Sequence, residues 1–419
     1  MDNPRKARIL RSMKDRFDIT IVGGGLNGTA LAIALGQAGF EVALIDSLPV
    51  DTRSLEKFDG RAYALALSST RALDAIGIWG KIAADAQPML EIKVTDGRAG
   101  EGPAPFFLHF DHAELEEGPM GHLVEDRHLR RAFLDAVEQT DTITHIAPST
   151  VTAQTVENGW AEVTAEGQRL KSRLLVGCDG RRSGTAERAG IKRSFKDYGQ
   201  TALVAAIGHE KPHNGIAHQF FMPAGPLAIL PLTGNRSAIV WAESTARAAE
   251  LAALDDDAFI KALQPAFGDF LGALHVAGAR FSYPLNLTET ESLIADRVAL
   301  VGDAAHGIHP IAGQGLNQGL RDASALAEVV TDAMRRGEDI GAPDVLERYA
   351  GWRRFDATML ARATDTFNTL FSNDKPGVRA LRDIGMGLVN ASPTLRRGFM
   401  REAAGLTGDL PRMMQGRAL

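Results

Sequence analysis

The segment that most limits the fold of this chain is FDITIVGGGLNGTALAIALGQAGFEVALIDS, residues 17–47. It consists of a β-branched run that ends in glycines, a stretch with helical spacing of apolar residues, and a second apolar run. The order strand, glycine turn, helix, strand predicts a right-handed βαβ unit in a parallel sheet. We therefore expect an α/β protein.

The glycines of this segment fit the pattern G-x-G-x-x-G at Gly23, Gly25 and Gly28, between the predicted strand and helix. Gly23 allows the tight turn, Gly25 lets the backbone approach a pyrophosphate, and Gly28 lets helix and strand pack closely. The helix N-terminus favours negative charge, and Asp46 at the end of the second strand can accept hydrogen bonds from a ribose. The pattern predicts a dinucleotide site, but it does not distinguish FAD from NAD.

Length and composition narrow the function classes. A chain of 419 residues suggests two or three domains, and a net charge of −6 argues against a nucleic-acid binder. The single cysteine, Cys178, excludes disulfides within the chain and cysteine-rich metal sites, which fits a reducing cytosolic setting. No apolar run is long enough to span a bilayer. Residues 1–16 are expected to form a basic tail, for which a contact with anionic lipid stays open.

In the rest of the chain the spacing of apolar residues changes several times. Helices are predicted at about residues 70–83 and 125–137, and a β-meander between residues 143 and 175. Residues 201–287 consist of strand-like pieces broken by Pro and Gly, which predicts a separate, mostly antiparallel sheet. Residues 296–306 return to a buried-strand pattern, as if the chain re-entered its first domain, and residues from 322 onward are largely helical in pattern.

Three further motifs carry a family resemblance: DGRAYALALS at 59–68, LLVGCDGRRS at 174–183 and VALVGDAAHGIHPIAGQGLNQG at 298–319. Together with the glycine motif they resemble the FAD-dependent aromatic hydroxylases with the fold of p-hydroxybenzoate hydroxylase. The segments MGHLVEDRHLRRAF and GPLAILPL, with GQGLNQGLRD, are similar to those of the ubiquinone-biosynthesis hydroxylases. The resemblance covers nearly the whole chain from residue 17 onward.

This resemblance implies a Rossmann-like FAD-binding domain with an inserted antiparallel-sheet substrate domain and a helical C-terminal region. We expect the FAD-binding domain to be discontinuous, comprising residues 17–90, 115–195 and 296–345. The substrate domain is expected to comprise residues 91–114 and 196–295. The helical region would follow at 346–419, after a basic tail at 1–16.

The resemblance also implies roles near the cofactor. Gly23, Gly25 and Gly28 would hold the FAD diphosphate and Asp46 the adenosine ribose, while Arg61 would lie near the flavin and its phosphates.

Two later motifs complete the implied cofactor site. Asp179 and Gly180 would contribute to binding both FAD and the nicotinamide cofactor, and Asp303 would accept a hydrogen bond from the ribityl chain. Pro310 would stiffen a loop beside the flavin ring. Backbone amides at the pyrimidine edge of the flavin would come from Gly313, Gln314, Gly315, Leu316 and Asn317. One departure is Ala186, where the family usually has arginine, with Arg188 nearby; it puts reductant binding through this segment in question.

The implied activity is a flavin-dependent monooxygenase reaction on the ring of a polyprenylated phenol in ubiquinone biosynthesis. NAD(P)H would reduce FAD, and O₂ would then give a C4a-hydroperoxyflavin that attacks the ring. The cofactor supplies this chemistry, while the protein orients the reactants and excludes water. No side chain is assigned as catalytic.

Membership of a quinone-biosynthesis protein complex and a cytoplasmic location at the inner face of the membrane stay open. So do two other functions: a related FAD enzyme acting on another aromatic or prenyl substrate, and a non-catalytic flavoprotein of a quinone-biosynthesis assembly. A flavin halogenase is disfavoured because the sequence has no Trp-x-Trp element.

Two histidines in the third motif, His306 and His309, could suggest a metal site. Gly307 and Pro310 favour a loop instead of a helical face, and no third ligand is evident. We therefore predict no metal. His218, in a strand-like segment, is interpreted first as a structural histidine and second as a substrate contact.

Overall fold

The structure, a computed structural model, describes residues 14–53, 58–98, 102–307, 314–354 and 389–419. Most of its strands belong to two large sheets. In chain order the strands are β1 (Arg16–Val22), β2 (Val42–Ile45), β3 (Ala62–Ala66), β4 (Gln87–Met89), β5 (Glu91–Arg98), β6 (Gly102–Asp111), β7 (Gly121–Glu125), β8 (Ile143–Ile146), β9 (Val151–Glu157), β10 (Trp160–Ala165), β11 (Gln168–Gly177), β12 (Arg193–His209), β13 (Ile216–Met222), β14 (Gly225–Leu232), β15 (Arg236–Ser244), β16 (Leu274–Val276), β17 (Phe281–Thr290), β18 (Ile294–Ala295), β19 (Val298–Leu300) and β20 (His306–Gly307).

The α-helices are distributed along the whole of the described chain. They are α1 (Leu26–Gln37), α2 (Val50–Arg53), α3 (Leu67–Ala75), α4 (Trp79–Ile82), α5 (Asp126–Gln139), α6 (Gly184–Arg188), α7 (Thr245–Ala252), α8 (Asp256–Phe267), α9 (Gln314–Arg335), α10 (residues 343–354) and α11 (Pro393–Ala403). None of the helices within the described ranges has both the length and the hydropathy needed to cross a membrane.

The first large sheet has eight strands, and its core is parallel. Its path is β18-β19-β11-β1-β2-β8, with β10 and β9 attached beside β11. Strand β1 pairs in parallel with β2 and with β11, and β11 pairs in parallel with β19. The four residues of β2 and the last four of β1 are buried, as expected for parallel strands with both faces covered. The βαβ unit predicted from the glycine motif is β1-α1-β2.

The predicted meander at 143–175 is only partly correct. Strands β9, β10 and β11 form antiparallel neighbours, but β8 pairs in parallel with β2 at the other edge of the sheet. A four-residue apolar run fits either arrangement, because local periodicity does not identify the partner strand.

The helix predicted at about 70–83 is two helices, α3 and α4. Gly77, between them, has φ of +74°, a left-handed conformation that ends a helix. The chain therefore turns where the sequence pattern had favoured continuation.

The second large sheet has nine strands in the order β20-β17-β12-β15-β14-β13-β5-β6, with β16 beside β12. All its pairs are antiparallel except β13 with β5. We call the face covered by α7 and α8 its outer face; Leu203, Ile239 and Trp241 lie there in one apolar cluster with these helices. The opposite, inner face carries Ala206 and Ala238, which pack with side chains of the small sheet β3-β7-β4.

Strand β17 connects the nine-stranded sheet to the segment that follows β19. It pairs with β12 along most of its length, and its last residues pair with β20, so that Thr288 lies opposite Gly307. Helix α10 supports the neighbouring segment, since the Tyr349 hydroxyl donates a 2.6 Å hydrogen bond to the carbonyl oxygen of Leu300 in β19. The segment that follows β19 is therefore held from both sides.

Candidate active site

The three motif glycines have different surroundings. Gly23 has φ of +107°, and a Cβ there would lie 2.3 Å from the carbonyl oxygen of Cys178. A Cβ on Gly28 would lie 2.0 Å from the carbonyl oxygen of Gly23. At Gly25, by contrast, a Cβ would meet no described atom within 4 Å. The turn is thus closed by protein at Gly23 and Gly28 and faces open space at Gly25, where α1 begins.

Asp46 lies directly after β2 and is 8% exposed. Its Oδ2 accepts a 2.6 Å hydrogen bond from the Gly24 amide, and its Oδ1 accepts a 2.7 Å hydrogen bond from the Leu48 amide. The carboxylate is therefore fixed beside the glycine turn by two backbone donors.

Asn27, inside the glycine motif, fills a space between two distant glycines. Cβ atoms on Gly302 and Gly319 would lie 2.6 Å and 1.9 Å from Asn27 Nδ2. The buried Oδ1 of Asn27 has no hydrogen-bond partner among the described residues. This contact brings the glycine motif against the motif at 298–319.

Arg61 lies on the side of the nine-stranded sheet where β17 begins. Its Nε and Nη2 donate hydrogen bonds of 2.8 and 2.6 Å to Asp59 Oδ2, and Nη2 lies 3.3 Å from Asp126 Oδ2. Burial works to lower the pKa of this guanidinium, but the two carboxylates hold it above its usual value. The guanidinium carbon lies 5.7 Å from the centre of the Phe281 ring. Arg61 is thus a permanent cation that contacts β17.

The loop that contains Asp179 and Gly180 is held by its own carboxylate. Asp179 accepts hydrogen bonds from the Ser183 hydroxyl and from the amide and hydroxyl of Thr185, the latter two both at 2.9 Å. Gly180 has φ of +79° and no described atom near its virtual Cβ. Asp179 therefore anchors the start of α6.

Ala186, the departure from the family pattern, is fully buried in α6. Arg193 supports the preceding loop from β12: its Nη1 and Nη2 donate hydrogen bonds of 3.0 and 3.1 Å to the carbonyl oxygens of Arg181 and Ser183. Sequence reasoning missed Arg193, because it follows the motif by several residues and belongs to a different element.

Asp303, in the motif at 298–319, is partly exposed. Its Oδ2 lies 3.3 Å from Arg181 Nε, and Arg181 Nη1 is 3.5 Å from Asn286 Oδ1 on β17. The second and third motifs therefore meet at an Arg181–Asp303 ion pair, next to β17. We made no prediction for Arg181 from the sequence, because nothing in the segment DGRRS distinguishes it from Arg182.

A buried ion network holds the backbone next to Asp303. Asp322 of α9 is fully buried and accepts a 3.0 Å hydrogen bond from the Gly302 amide. The same carboxylate lies 2.8 Å from His306 Nε2 and 2.7 Å from Arg353 Nε. Burial by itself raises the pKa of this carboxyl group, but His306 and Arg353 outweigh burial and lower it to about 2. His306 is thus a partner of Asp322.

The start of α9 positions the remaining predicted residues. Helix α9 begins at Gln314, and a Cβ on Gly315 would meet no described atom within 4 Å. Leu316 is partly exposed. The Asn317 side chain donates a 2.8 Å hydrogen bond to the Ala64 carbonyl oxygen and accepts a 2.9 Å hydrogen bond from the Ala66 amide, which ties α9 to β3. Pro310, Gly313 and His309 lie outside the described residues.

His218 lies on the outer face of the nine-stranded sheet, in a group of aromatic rings. Its ring centre is 4.6 Å from that of Phe270 and 5.8 Å from that of Phe220. Burial lowers the pKa of this imidazole to about 4. His218 is therefore a neutral packing residue on the face away from Arg61.

The chain matches the protein family described as FAD binding domain over residues 16–364. It is 44% identical to ubiquinone hydroxylase UbiL of Rhodospirillum rubrum over 403 residues, which cover 95% of this chain and 92% of that relative. It is 31% identical to 3-demethoxyubiquinol 3-hydroxylase of Escherichia coli, over 93% of this chain and 98% of the relative.

A solved structure gives an independent comparison at the level of fold. The crystal structure of p-nitrophenol 4-monooxygenase from Pseudomonas putida superposes with a TM-score of 0.78, covering 94% of this chain and 99% of that one, at 20% identity. At that identity the likeness concerns the fold alone.

Proposed function

The chain belongs to the FAD-binding-domain family of flavin-dependent monooxygenases, and from this premise we propose that it hydroxylates the aromatic ring of a polyprenylated phenol in ubiquinone biosynthesis. The relatives named ubiquinone hydroxylase and 3-demethoxyubiquinol 3-hydroxylase, which match along nearly their whole length, support the pathway. The structural observation that carries the proposal is that the three later motifs meet beside one strand: β17 contacts Arg61 through Phe281 and the Arg181–Asp303 pair through Asn286.

The described residues fit a bound FAD. Gly25 directly precedes α1 and Gly315 is the second residue of α9, and a Cβ on either would meet no described atom within 4 Å. Gly23, Gly28 and Gly319, by contrast, are closed by protein contacts. Amides at a helix N-terminus suit a diphosphate or a developing negative charge on the flavin, since no side chain stands between donor and ligand. The Oδ1 of Asn27, which has no hydrogen-bond partner among the described residues, is a further polar atom between the glycine motif and the motif at 298–319.

The proposed roles follow from these surroundings. Gly23, Gly25, Gly28 and Asp46 would hold the ADP half, and Arg61 would supply a fixed positive charge beside the flavin. Asp303 would hold the ribityl chain, and in the structure its partner is Arg181. We also propose that Asp179 with Gly180, and Pro310 with residues 313–317, complete the cofactor site.

When bound, FAD supplies the redox and oxygen chemistry of a monooxygenase. The protein must hold the ring in register and keep water away from the reacting atoms. The inner face of the nine-stranded sheet, largely apolar, would provide that cover. NAD(P)H is the proposed reductant.

The domain organisation is proposed on the same basis. Residues 17–90, 115–195 and 296–345 would form the FAD-binding domain, and 91–114 with 196–295 the substrate domain. Support comes from the sheets: β1, β2, β8–β11 and β19 share the first sheet, whereas β5, β6 and β12–β17 share the second. Of the described strands, only the two-residue strands β18 and β20 pair across the proposed boundary.

The decisive experiment follows the oxygen atom. Purified protein loaded with FAD is given NADH or NADPH, ¹⁸O₂ and a prenylated phenol, and the product is analysed by mass spectrometry. One ¹⁸O atom on the ring is expected. Reductant consumption with all ¹⁸O recovered as hydrogen peroxide or water, for every phenol tried, would contradict the proposal and favour a non-catalytic flavoprotein.

The pathway is tested in the host. Loss of the protein should cause a quinone precursor lacking one ring oxygen to accumulate, as read by mass analysis of extracted lipids. An unchanged quinone pool would contradict the assignment to ubiquinone biosynthesis.

A further inference from the structure

The inner face of the nine-stranded sheet carries a row of directly paired residues that crosses six strands. Phe281 pairs with Val204, and Val204 with Val240. Val240 is opposite Ala228, Ala228 opposite Gln219, and Gln219 beside Val94. Because directly paired residues point to the same face, these six side chains form one continuous stripe, of which only Gln219 is polar.

The exposure of this stripe differs from that of its surroundings. Val204 and Val240 are partly exposed, whereas Leu203 and Ile239, their neighbours on the outer face, are 3% and 0% exposed beneath α7 and α8. The alanines two residues away on the inner face, Ala202 and Ala206 on β12, and Ala238 and Ala242 on β15, are all buried. Solvent therefore reaches Val204 and Val240 in the middle of the sheet, whereas Ala228, the next residue of the stripe, is 7% exposed.

One end of the stripe lies at the proposed cofactor site. Phe281 contacts the Arg61 guanidinium and is stacked with Tyr283, with ring centres 6.3 Å apart and planes at 22°. Tyr283, on the same face, is 45% exposed, although a large aromatic side chain gains most when it is covered. An aromatic ring could therefore be covered by this pair beside Arg61.

The other end of the stripe reaches the edge of the sheet. Val94 pairs with Leu108 on the edge strand β6, and both pack against a cluster that contains Phe110 and Met400 of α11. With strands about 4.8 Å apart, the path from β17 to β6 is about 29 Å long. That is enough for several isoprene units laid end to end.

We propose that this stripe binds the polyprenyl tail of the substrate, with the phenol ring at Phe281 and Tyr283 and the tail running across β12, β15, β14, β13 and β5 towards β6. The inference rests on the proposed function, since the occupant is its substrate. An apolar chain matches the stripe because it needs no hydrogen-bond partners and gains by removing Val204 and Val240 from water.

Binding of a series of tailed phenols tests the proposal. FAD-loaded protein is titrated with phenol, 2-geranylphenol and 2-farnesylphenol, and bound ligand is measured by equilibrium dialysis. Each added isoprene unit should tighten binding by at least about fivefold. In Val204→Gln and Val240→Gln, 2-farnesylphenol should bind at least about tenfold more weakly, while binding of phenol should change less than about twofold. The matched control is Val156→Gln, a partly exposed valine of β9 in the other sheet, which should bind all three ligands as the unaltered protein does.

The outcomes separate the inference from its premise. If the unaltered protein binds none of the phenols, the proposed function fails and the inference fails with it. If it binds them with a dependence on tail length that both variants retain, the inference alone is overturned.

A second measurement does not depend on variants that fold. A farnesylphenol with a diazirine on its tail is photolysed in the FAD-loaded protein, and labelled peptides are identified by mass spectrometry. Label on peptides that contain Val204 or Val240 supports the proposal. Label confined to α7, α8 or the parallel sheet overturns it.

Discussion

At the scale of single residues, substitutions at two of the motif glycines, Gly28 and Gly25, should behave differently. In Gly28→Ala the new Cβ would lie 2.0 Å from a backbone oxygen, so α1 must shift and the fold should lose about 1–3 kcal/mol or more. Gly25 has φ of −68° and open space around it, so Gly25→Ala should leave the FAD-free protein as stable as before. The alanine methyl would instead occupy the space proposed for the diphosphate and weaken FAD binding. Thermal unfolding without FAD and FAD titration give the two readouts; a loss of stability in Gly25→Ala would contradict the distinction.

The Asp322 carboxylate should make stability depend on pH. Its pKa in the folded protein, about 2, lies below the ordinary value of 3.8. A lowered carboxyl pKa stabilises the fold above the ordinary value, and this contribution is lost as the pH falls from about 4 towards about 2. Asp322→Asn should be less stable at neutral pH by about 3–5 kcal/mol, since the substitution removes the carboxylate of a buried ion pair with Arg353. Its disadvantage should shrink in acid, as measured by urea unfolding at pH 7, 4 and 2.5. A difference that stays constant over this pH range would contradict the assignment.

These two cases show how far single residues could be predicted from the sequence. The tight turn at Gly23 and the close contact at Gly28 follow from a local pattern, and the structure contains both contacts. The contribution of the glycines to FAD binding stays a prediction. The network of Asp322, His306 and Arg353 had no comparable signal, because its members come from three elements that only the tertiary fold brings together.

At the scale of elements, the loop before α6 depends on a residue outside its motif. Arg193→Ala removes two hydrogen bonds to the carbonyl oxygens of Arg181 and Ser183 and should destabilise the loop by about 1–2 kcal/mol. Amides of residues 181–191 should then exchange hydrogen faster, as measured by mass spectrometry, with the parallel sheet unchanged. If the loop belongs to the reductant site, the KM for NAD(P)H should rise more than kcat falls.

The control for this prediction is Arg188→Ala, which replaces the arginine two residues after Ala186. Among the described residues, the carbonyl oxygens of Arg181 and Ser183 accept side-chain hydrogen bonds from Arg193 and not from Arg188, so the removal of Arg188 should leave exchange at 181–183 unchanged. Equal effects of the two substitutions would contradict the role given to Arg193.

Helices and strands were predicted well where a local sequence pattern determines them. They were predicted poorly where the position of a strand depends on which other strand it pairs with. The β1-α1-β2 unit was predicted correctly, since strand, glycine turn and helix each have a local signature. For β8 the type was correct and the partner wrong: its four residues carry no information on whether β2 or β9 lies beside them. Likewise the pairing of β5 with β13 joins segments more than a hundred residues apart, which local periodicity cannot predict.

At the scale of the whole molecule, the nine-stranded sheet is joined to the remainder by a few charged and apolar contacts. Arg236 on β15 donates a 2.7 Å hydrogen bond to Glu125 Oε1 at the end of β7, and its guanidinium carbon lies 5.0 Å from the centre of the Phe58 ring. The side chain of Glu125 is 2% exposed, and a carboxylate buried in this way needs neighbouring cations or hydrogen-bond donors. This junction fixes the inner face relative to the small sheet that leads to Arg61.

Arg236→Ala should therefore weaken the junction without breaking either sheet. Arg127 remains 2.7 Å from the other oxygen of Glu125, so the carboxylate still has a cationic partner and the expected loss is about 1–3 kcal/mol rather than more. Arg236→Lys keeps the charge and should recover part of that loss. Arg247→Ala is the matched control, because its ion pair with Glu250 is exposed and should contribute less than about 1 kcal/mol.

Urea unfolding measures all three variants, and hydrogen exchange at residues 121–127 and 230–238 locates the effect. The junction also positions the inner face relative to Arg61, so Arg236→Ala should increase the fraction of reductant whose electrons end in hydrogen peroxide. Equal stability and equal peroxide yield in Arg236→Ala and Arg247→Ala would refute a role of the junction in holding the inner face in place.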